Sequence, residues 1–318
     1  LSVLDIAHRT TVLTTSNDIP LASSPINRAA HHRTDEAWLE TALKSDNVLV
    51  FLMQDGLPLV ENSGQNLVWL GPEFERLPHV GERVFLGVDL ANAPIFAVNI
   101  GSAFQLEGSL LQGVGEFTDM RAAASGLNPM EANLASTARS ILEWHRSHPF
   151  CSKCGSASTV AEAGWKRVCP SCGAEHFPRT DPVAIMLAVK DDKCLLGRQA
   201  SWPAGFWSAL AGFVEPGETL EQAATRELEE EAGIKADPAK AEYLFCQPWP
   251  FPSSMMVGII VEAETTEVSV EQDELEAARW ITRDEARQVI AGDHPEIYAP
   301  PPMAVAHHIL KTWSERES

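Results

Sequence analysis

The chain has 318 residues, is 45% hydrophobic and carries a formal net charge of −20. Its length and apolar content are sufficient for two hydrophobic cores and a small additional module. The acidic balance argues against general nucleic-acid binding, which requires basic side chains to neutralise phosphates. We expect neither a membrane-spanning helix nor a signal peptide, because no apolar run is long enough and the first 20 residues lack a charged start followed by an apolar core. These features favour a cytoplasmic enzyme.

The first part of the chain, residues 1–125, is predicted to form an α+β domain. Its apolar periodicity indicates a helix at 35–45 and strands at 47–53, 66–70, 84–88 and 95–100. A loop is expected at 121–126. No motif for catalysis or binding stands out in this part, so we place no functional site there.

The second part, residues 126–178, is predicted to be a helix at 129–148 followed by a zinc ribbon. Its cysteines form two Cys-x2-Cys pairs, Cys151 with Cys154 and Cys169 with Cys172. Such pairs can present four thiolates to one tetrahedral Zn²⁺, and a shell filled by protein is structural rather than catalytic. We therefore expect one zinc per chain. Disulfide bonds are the alternative, but Gly155 and Gly173, which closely follow the pairs, favour metal. The segment around Trp165 is predicted to form a short hairpin.

The third part, residues 179–318, is predicted to contain a mixed sheet between helices. Strands are expected at 183–189, 194–198, 208–212, near 243, at 255–262 and up to 280, with helices at 284–291 and 303–314 and a loop at 298–302. A further helix is expected to begin at Thr219, because Gln222 completes a capping-box pattern. Gly233 suits the left-handed position that ends a helix.

That helix carries a concentration of acidic residues. Glu227, Glu230 and Glu231 stand at positions i, i+3 and i+4, within about 80° of Leu220, which lies on the apolar face. Carboxylates placed in this way on a face turned toward the protein repel one another. A divalent cation that prefers oxygen ligands, Mg²⁺ or Mn²⁺, would relieve the repulsion. The sequence therefore predicts a metal site on this helix.

The whole pattern Gly-x5-Glu-x7-Arg-Glu-Leu-Glu-Glu-Glu-Ala-Gly-Ile, which begins at Gly212, resembles the Nudix box, with every signature position matched. The resemblance implies an α/β/α sandwich that hydrolyses a nucleoside diphosphate linked to another group. By this resemblance the Mg²⁺ or Mn²⁺ ligands would be Glu227, Glu230 and Glu231. Arg226 would brace these glutamates, and Glu218 would support the site without binding the metal. The alternative is an acidic surface helix that fits the pattern by chance.

A second run resembles the segment that marks the NADH pyrophosphatase branch of the Nudix superfamily. It consists of Gln247, Pro248, Trp249, Pro250, Phe251, Pro252, Ser253 and Ser254. The prolines stiffen an extended backbone, which then presents aromatic rings at low entropic cost. Such rings and a few polar groups suit an adenine or nicotinamide ring, so by resemblance the run would bind substrate. The alternative is an aromatic, proline-rich loop packed on the core.

Further positions can be matched to this family one at a time. Glu274 falls where the family has an additional metal-linked acid, although an isolated loop glutamate is usually solvated. The backbone carbonyl of Ala211 falls at another metal contact. Phe177 and Phe213 occupy places where the family stacks rings on the substrate base. Ala306 matches a backbone contact near the substrate.

These resemblances together predict a Mg²⁺- or Mn²⁺-dependent hydrolase that converts NADH or NAD⁺ to nicotinamide mononucleotide and AMP. The family also has a zinc ribbon between its two domains and forms homodimers whose active sites draw on both subunits. Some members remove NAD caps from RNA, and here RNA affinity would depend on local basic spots such as Lys166, Arg167 and Arg179. Two alternatives stay open: hydrolysis of another nucleoside diphosphate such as ADP-ribose, and a non-catalytic zinc-ribbon module that senses a nucleotide.

Overall fold

Three β-sheets follow one another along the chain in the computed structural model, which describes residues 19–22 and 26–316. The first sheet has five strands, the small one three and the last six. No helix in this described part is long and apolar enough to cross a membrane. An N-terminal α+β unit, a ribbon with four clustered cysteines and a C-terminal α/β/α sandwich are present, so the predicted fold class is confirmed.

The five-stranded sheet separates two hydrophobic cores. Its strands are β1 (Leu49–Gln54), β2 (Leu57–Glu61), β3 (Val80–Val88), β4 (Pro94–Ile100) and β5 (Gly115–Phe117), in the spatial order β3-β4-β1-β2-β5. The helices are α1 (Glu36–Leu43), α2 (Met120–Gly126) and α3 (Pro129–Ser147). Because side chains alternate along a strand, Phe51 and Met53 pack with α2 and α3, whereas Val50 and Leu52 face the core that includes α1.

Two elements of this unit differ from the prediction. Residues 121–126, predicted as a loop, belong to helix α2. Asp119 starts that helix by accepting hydrogen bonds from two backbone N–H groups, and burial of Met120 and Ala123 fixes it on the core. The segment 66–70, predicted as a strand, pairs only through isolated bridges. Strands β2 and β5 were not predicted.

The ribbon contains β6 (Thr159–Ala161), β7 (Lys166–Val168) and β8 (Glu175–His176), and the predicted hairpin around Trp165 lies between β6 and β7. It is docked on α3 through His145, whose Nε2 lies 2.8 Å from the carbonyl oxygen of Gly164 and whose Nδ1 lies 3.1 Å from a guanidinium nitrogen of Arg167. A carbonyl only accepts and a guanidinium only donates, so His145 is neutral with its proton on Nε2. The indole N–H of Trp165 donates to the carbonyl of Phe85 at 2.7 Å.

The six-stranded sheet is the centre of the sandwich. Its strands are β9 (Asp181–Lys190), β10 (Lys193–Arg198), β11 (Leu210–Phe213), β12 (Ala236–Trp249), β13 (Ser254–Ala263) and β14 (Ala277–Thr282). Strands β9 and β13 pair in parallel and the other neighbours pair antiparallel, so the sheet is mixed, as predicted. Helix α4 (Leu220–Ala232) packs on one face, and helices α5 (Arg283–Ala291) and α6 (Val305–Glu315) pack on the other.

Helix α4 begins and ends where the sequence predicts. Thr219 and Gln222 form both bonds of the capping box, and Gly233 ends the helix at φ 71°. Ala224 and Leu228 are fully buried in the core beneath the sheet. Since β11 runs into this helix and pairs with the central strand β9, the acidic side of α4 is held against β11.

Candidate active site and zinc site

Three carboxylates converge between α4 and the loop that precedes β14. One oxygen from each of Glu227, Glu231 and Glu274 lies within 4.8 Å of the others. The loop is tied to the helix, because the backbone N–H of Glu271 donates to the carbonyl oxygen of Glu231 at 3.0 Å. The structure thus brings two of the three helical glutamates together with the loop glutamate singled out by resemblance.

Gly212 of β11 makes room for this carboxylate cluster. A Cβ atom at this position would lie 1.8 Å from Cδ of Glu227, far inside any contact distance. Only glycine permits so close an approach of a carboxylate to the strand. The glycine that opens the sequence motif therefore has a steric explanation.

The carboxylate cluster is electrostatically unfavourable by itself. Glu231 is 8% exposed, and burial raises the pKa of its carboxyl to about 8, with further increases from Glu227, Glu274 and Glu230. Burial likewise raises the pKa of Glu227. A hard divalent cation coordinated by carboxylate oxygens would offset this repulsion. The donor set therefore fits a divalent cation.

Arg226 holds Glu227 by a direct hydrogen bond. Its guanidinium donates to both carboxylate oxygens of Glu218, at 2.6 and 2.9 Å, and to Glu227 at 2.8 Å. It also donates to the carbonyl oxygen of Phe213 at 3.0 Å. The bonds from Arg226 lower the pKa of Glu218 to about 2, with help from a backbone bond at Glu215. Glu218 therefore stays ionised and keeps the arginine in place.

Glu230 does not face the protein as the helical pattern indicated. Its side chain is 58% exposed and pairs with Arg226 at 2.9 Å. It lies outside the group of converging carboxylates within the described chain. The pairing of residues one turn apart draws the Glu230 carboxylate toward solvent, which the angular position alone could not indicate.

Two adjoining cavities meet at the carboxylate cluster. The first, here called the acidic cavity, has a volume of about 630 Å³ and is lined by the cluster and by Phe213. The second, here called the apolar cavity, has a volume of about 430 Å³ and lies between the sheet and the start of α6. Glu231, Ala211, Gln199 and Leu275 line both. The site can therefore place a charged group and a ring side by side.

Only part of the proline-rich run reaches the apolar cavity. Gln247 and Trp249 line it, as does Ala306 at the start of α6. The amide of Gln247 is fully used by the backbone: it donates to the carbonyls of Pro20 and Met303, both at 2.7 Å, and accepts from the N–H of Val305 at 2.9 Å. Gln247 therefore fixes the wall of the cavity and offers no free polar group to a ligand.

The rest of the run packs against the N-terminal unit and its own hairpin. Phe251 lies beside the guanidinium groups of Arg121 and Arg139, at 4.0 and 5.3 Å, and edge-on to Trp249 at 5.0 Å. Carbonyl oxygens of the run accept from Arg139 and from Ser140, and Ser253 donates to Asp181. The members with these roles are Pro250, Pro252 and Ser253, while Pro248 and Ser254 lie in the ladder between β12 and β13. Within the proline-rich run, some residues therefore line the apolar cavity and the others pack against the rest of the protein.

Phe177 and Phe213 are not brought together within the chain. Phe213 lines the acidic cavity, whereas Phe177, 61% exposed at the end of the ribbon, lines neither cavity.

Among the residues that line the apolar cavity, sequence reasoning missed three with aromatic or charged side chains. Trp202 and Phe206, whose rings meet edge-on at 5.1 Å, come from the loop between β10 and β11. Arg121 comes from α2 and adds a positive charge. The cluster of aromatic residues in the loop was a visible signal, but the position of Arg121 depends on packing between distant parts of the chain.

Four thiol groups form the second candidate metal site. The sulfurs of Cys151 and Cys172 lie 3.7 Å apart, and those of Cys154 and Cys169 lie 3.5 Å apart. Tetrahedral zinc with Zn–S bonds of about 2.3 Å separates its sulfurs by about 3.8 Å, whereas a disulfide needs about 2.05 Å. None of the described cysteines is in a disulfide. The geometry fits a structural zinc with four cysteine ligands, and the disulfide alternative is wrong.

The two cysteine knuckles are built alike. Gly155 and Gly173 adopt φ 75° and 71°, and their N–H groups donate to the carbonyls of Cys151 and Cys169 at 2.8 and 2.9 Å. Nε2 of His176 lies 3.2 Å from the sulfur of Cys151, a contact that the sequence analysis did not foresee.

The basic residues expected to contact RNA have partners within the described chain. Lys166 pairs with Glu162 at 2.5 Å and with Glu175 at 2.8 Å, and Arg179 pairs with Asp181. Arg167 is buried against His145 and Ser158. Contact of RNA with these three residues stays a prediction.

Family models match three consecutive parts of the chain. They are the NADH pyrophosphatase-like rudimentary NUDIX domain over residues 48–144, the NADH pyrophosphatase zinc ribbon domain over 146–177 and the NUDIX domain over 178–300. The chain is also 34% identical over 301 residues to the mitochondrial NAD(P)H pyrophosphatase NUDT13 of Homo sapiens, and the match covers 84% of each protein. The chain belongs to the NADH pyrophosphatase family of Nudix hydrolases. This membership, with the two side-chain clusters, establishes metal use and a structural zinc.

Two further relatives carry names that refer to capped RNA. The NAD-capped RNA hydrolase NUDT12 of Homo sapiens is 44% identical over 198 residues, which cover 59% of this chain and 42% of that protein. The NAD-capped RNA hydrolase NudC of Mycobacterium bovis is 38% identical over 211 residues, which cover 64% of this chain and 66% of that protein. The chain thus spans less than half the length of NUDT12.

Proposed function

We propose that this protein hydrolyses the diphosphate of NADH or NAD⁺ and releases nicotinamide mononucleotide and AMP. The observation that carries the proposal is the junction of the acidic and apolar cavities at Glu231. A dinucleotide has a diphosphate flanked by nucleosides, so the diphosphate can lie at the carboxylate cluster while one ring enters the apolar cavity. The volume of that cavity is typical of small-molecule sites. The relative named NAD(P)H pyrophosphatase supports the same substrate class.

The proposed cation is Mg²⁺ or Mn²⁺, because the donors are oxygens. Glu227, Glu231 and Glu274 would hold it through their carboxylates, and Ala211 through its backbone carbonyl. Bound there, such a cation would neutralise phosphate oxygens and would lower the pKa of an attacking water. Glu230 stays a candidate ligand, although its carboxylate would first have to leave Arg226.

The remaining roles follow from the contacts of the site. Arg226 keeps Glu227 in place, and a carboxylate of the cluster would accept the proton of the attacking water. Trp249, with Trp202 and Phe206, offers aromatic surface to a ring of the substrate. Phe213 would stack on a base from the acidic cavity.

We further propose that the active protein is a homodimer. Phe177 is exposed and lines neither cavity of its own chain. A stacking role for its ring on the substrate base would therefore require the ring to enter the site of a second copy. Along each chain we propose an N-terminal domain at 1–125, a linker helix and ribbon at 126–178 and a Nudix domain at 179–318. The cytoplasmic location stays a prediction.

Removal of NAD caps from RNA is a second candidate function. Relatives named NAD-capped RNA hydrolases favour it, and the scissile diphosphate is the same. Because Lys166 and Arg179 are paired with acids, contact with the RNA chain beyond the cap would require these pairs to open.

One chromatographic assay tests both candidates. Purified protein with Mg²⁺ or Mn²⁺ is given NADH, ADP-ribose or NAD-capped RNA, and the products are separated. We expect nicotinamide mononucleotide and AMP from NADH. Faster hydrolysis of ADP-ribose would refute the substrate assignment, and binding without hydrolysis of any of the three would favour a nucleotide-sensing module. Glu231→Gln serves as the inactive control.

A further inference from the structure

Arg198, at the end of β10, holds together two loops that serve different cavities. Its side chain is only 14% exposed. The guanidinium donates to the carbonyl oxygens of Pro203 at 2.8 Å, Phe206 at 3.4 Å and Trp202 at 3.3 Å. Its Nε donates to the carboxylate of Glu276. The guanidinium of Arg198 thus bonds the backbone of one loop, 202–206, and the carboxylate of Glu276 in another loop.

The carboxylate partner of Arg198 belongs to the loop that carries Glu274. Glu276 lies two residues after Glu274, and its backbone N–H donates to the carbonyl oxygen of Arg198 at 2.9 Å. The N–H of Glu274 in turn donates to the carbonyl oxygen of Glu271 at 3.1 Å, and Glu271 is bonded to Glu231. Glu276 is therefore connected to the carboxylate cluster through the backbone of this loop, which is itself hydrogen-bonded to Glu231.

The other partner of Arg198 forms a wall of the apolar cavity. Trp202 and Phe206 line that cavity. Their loop is also held by Tyr298, whose N–H donates to the carbonyl oxygen of Gly205 at 2.7 Å. A Cβ at Gly205 would lie 2.7 Å from the ring of Tyr298, so the loop has little freedom on that side.

We propose that Arg198 is a positioning residue that couples occupancy of the apolar cavity to cation binding at the carboxylate cluster. A nucleoside ring that contacts Trp202 and Phe206 fixes the position of their loop. Because Arg198 bonds both this loop and Glu276, it then fixes Glu276 as well. Glu274, two residues away, is thereby held in its cation-binding position. Arg198 itself lines neither cavity. The inference rests on the proposed function in one respect, that the carboxylate cluster binds the catalytic cation.

A guanidinium is required for this coupling. Its fixed fork can bond several carbonyl oxygens and a carboxylate at once, whereas the ammonium of lysine is a point donor. Coupling between sites is reciprocal, and its usual size is about fivefold or more in affinity. We therefore expect a bound nucleoside to lower the Kd for Mn²⁺ by about fivefold or more, and Arg198→Lys to abolish most of that change.

The experiment is a titration of the full chain with Mn²⁺, followed by the electron paramagnetic resonance signal of the free ion. It is done without nucleoside, with adenosine and with nicotinamide riboside, which have no phosphate to bind the cation directly. Glu276→Ala removes the carboxylate, whose side chain is 49% exposed, and Glu276→Gln keeps an acceptor oxygen. Glu242→Gln is the matched control, because it changes a two-bond pair with Arg316 that lines neither cavity.

The expected result is a nucleoside-dependent Kd for Mn²⁺ in the parent, Glu276→Gln and Glu242→Gln. In Arg198→Lys and Glu276→Ala, most of the dependence of this Kd on nucleoside should be lost. An unchanged nucleoside effect in Glu276→Ala overturns the inference even if Arg198→Lys does not fold. So does a parent protein whose Kd for Mn²⁺ responds to neither nucleoside. NADH hydrolysis is measured alongside, so that the proposed function and the proposed coupling are tested separately. If the parent hydrolyses NADH but its Kd for Mn²⁺ does not respond to nucleoside, the coupling is refuted and the proposed function stands. If the parent neither binds Mn²⁺ nor hydrolyses NADH, both proposals are refuted.

Discussion

Replacement of Glu231 by glutamine should stabilise the cation-free protein while it removes cation binding. The pKa of this carboxyl rises from 4.5 to about 8 on folding, chiefly through burial. The folded state therefore holds a proton that the unfolded chain releases near pH 4.5, so stability falls as the pH rises through this window, by about 1.4 kcal/mol per pH unit. At pH 7 the loss is about 3 kcal/mol. Proton sharing among the three carboxylates reduces our expectation to about 2 kcal/mol.

The measurement is urea unfolding at pH 7 in buffer free of Mg²⁺ and Mn²⁺, with the ribbon zinc retained. Glu231→Gln should have the higher free energy of unfolding, should lose its advantage near pH 4.5, and should turn over NADH slower by a factor on the order of 10² or more. Glu229→Gln is the control, because Glu229 is exposed on the same helix and lies outside the carboxylate cluster. A glutamine variant that is no more stable than the parent would contradict the electrostatic account of the site.

Three further substitutions test the zinc site, the close contact between Glu227 and Gly212 of β11, and the aromatic contact to the substrate base. Cys169→Ser should lower the zinc content from one per chain and the melting temperature before it affects kcat, as measured by metal analysis and calorimetry; an active, zinc-free protein would contradict this. Gly212→Ala should raise the Kd for Mn²⁺ by at least on the order of tenfold, because the added Cβ displaces Glu227. Phe177→Ala should weaken use of NADH by about 1 to 3 kcal/mol in kcat/KM and have a smaller effect on a diphosphate without a base. Equal losses on both substrates would make Phe177 a packing residue, and light scattering that finds an active monomer would refute the shared site.

The sequence predicted the candidate site best where its carboxylates lie on a single helix, α4. The capping residues, the closing Gly233 and the spacing of the acids predicted the position of α4 and the approach of Glu227 and Glu231. The same pattern misplaced Glu230, because its exposure is decided by a side-chain pair with Arg226 rather than by its angle on the helix.

The sequence analysis mainly failed to predict contacts between distant parts of the chain. Glu274 was found only by resemblance, since a single loop glutamate has no local signature. Arg121 was missed because its segment was predicted to be a loop, and because its place at the apolar cavity depends on how α2 packs against the C-terminal unit. The N-terminal unit gave no motif, yet a family model matches most of it.

The proline-rich run shows how a known local geometry could have sharpened the sequence prediction. Gln247 and Trp249 lie two residues apart at the end of β12, and both line the apolar cavity. Cys246 lies between Phe245 and Gln247 and packs with the core beneath α4, on the opposite face of the sheet. Side chains of a strand alternate between faces, so once Phe245 is assigned to the core shared with α6, the side of Gln247 and Trp249 follows. The register of a strand, rather than the composition of its motif, decides which residues of the run can reach a ligand.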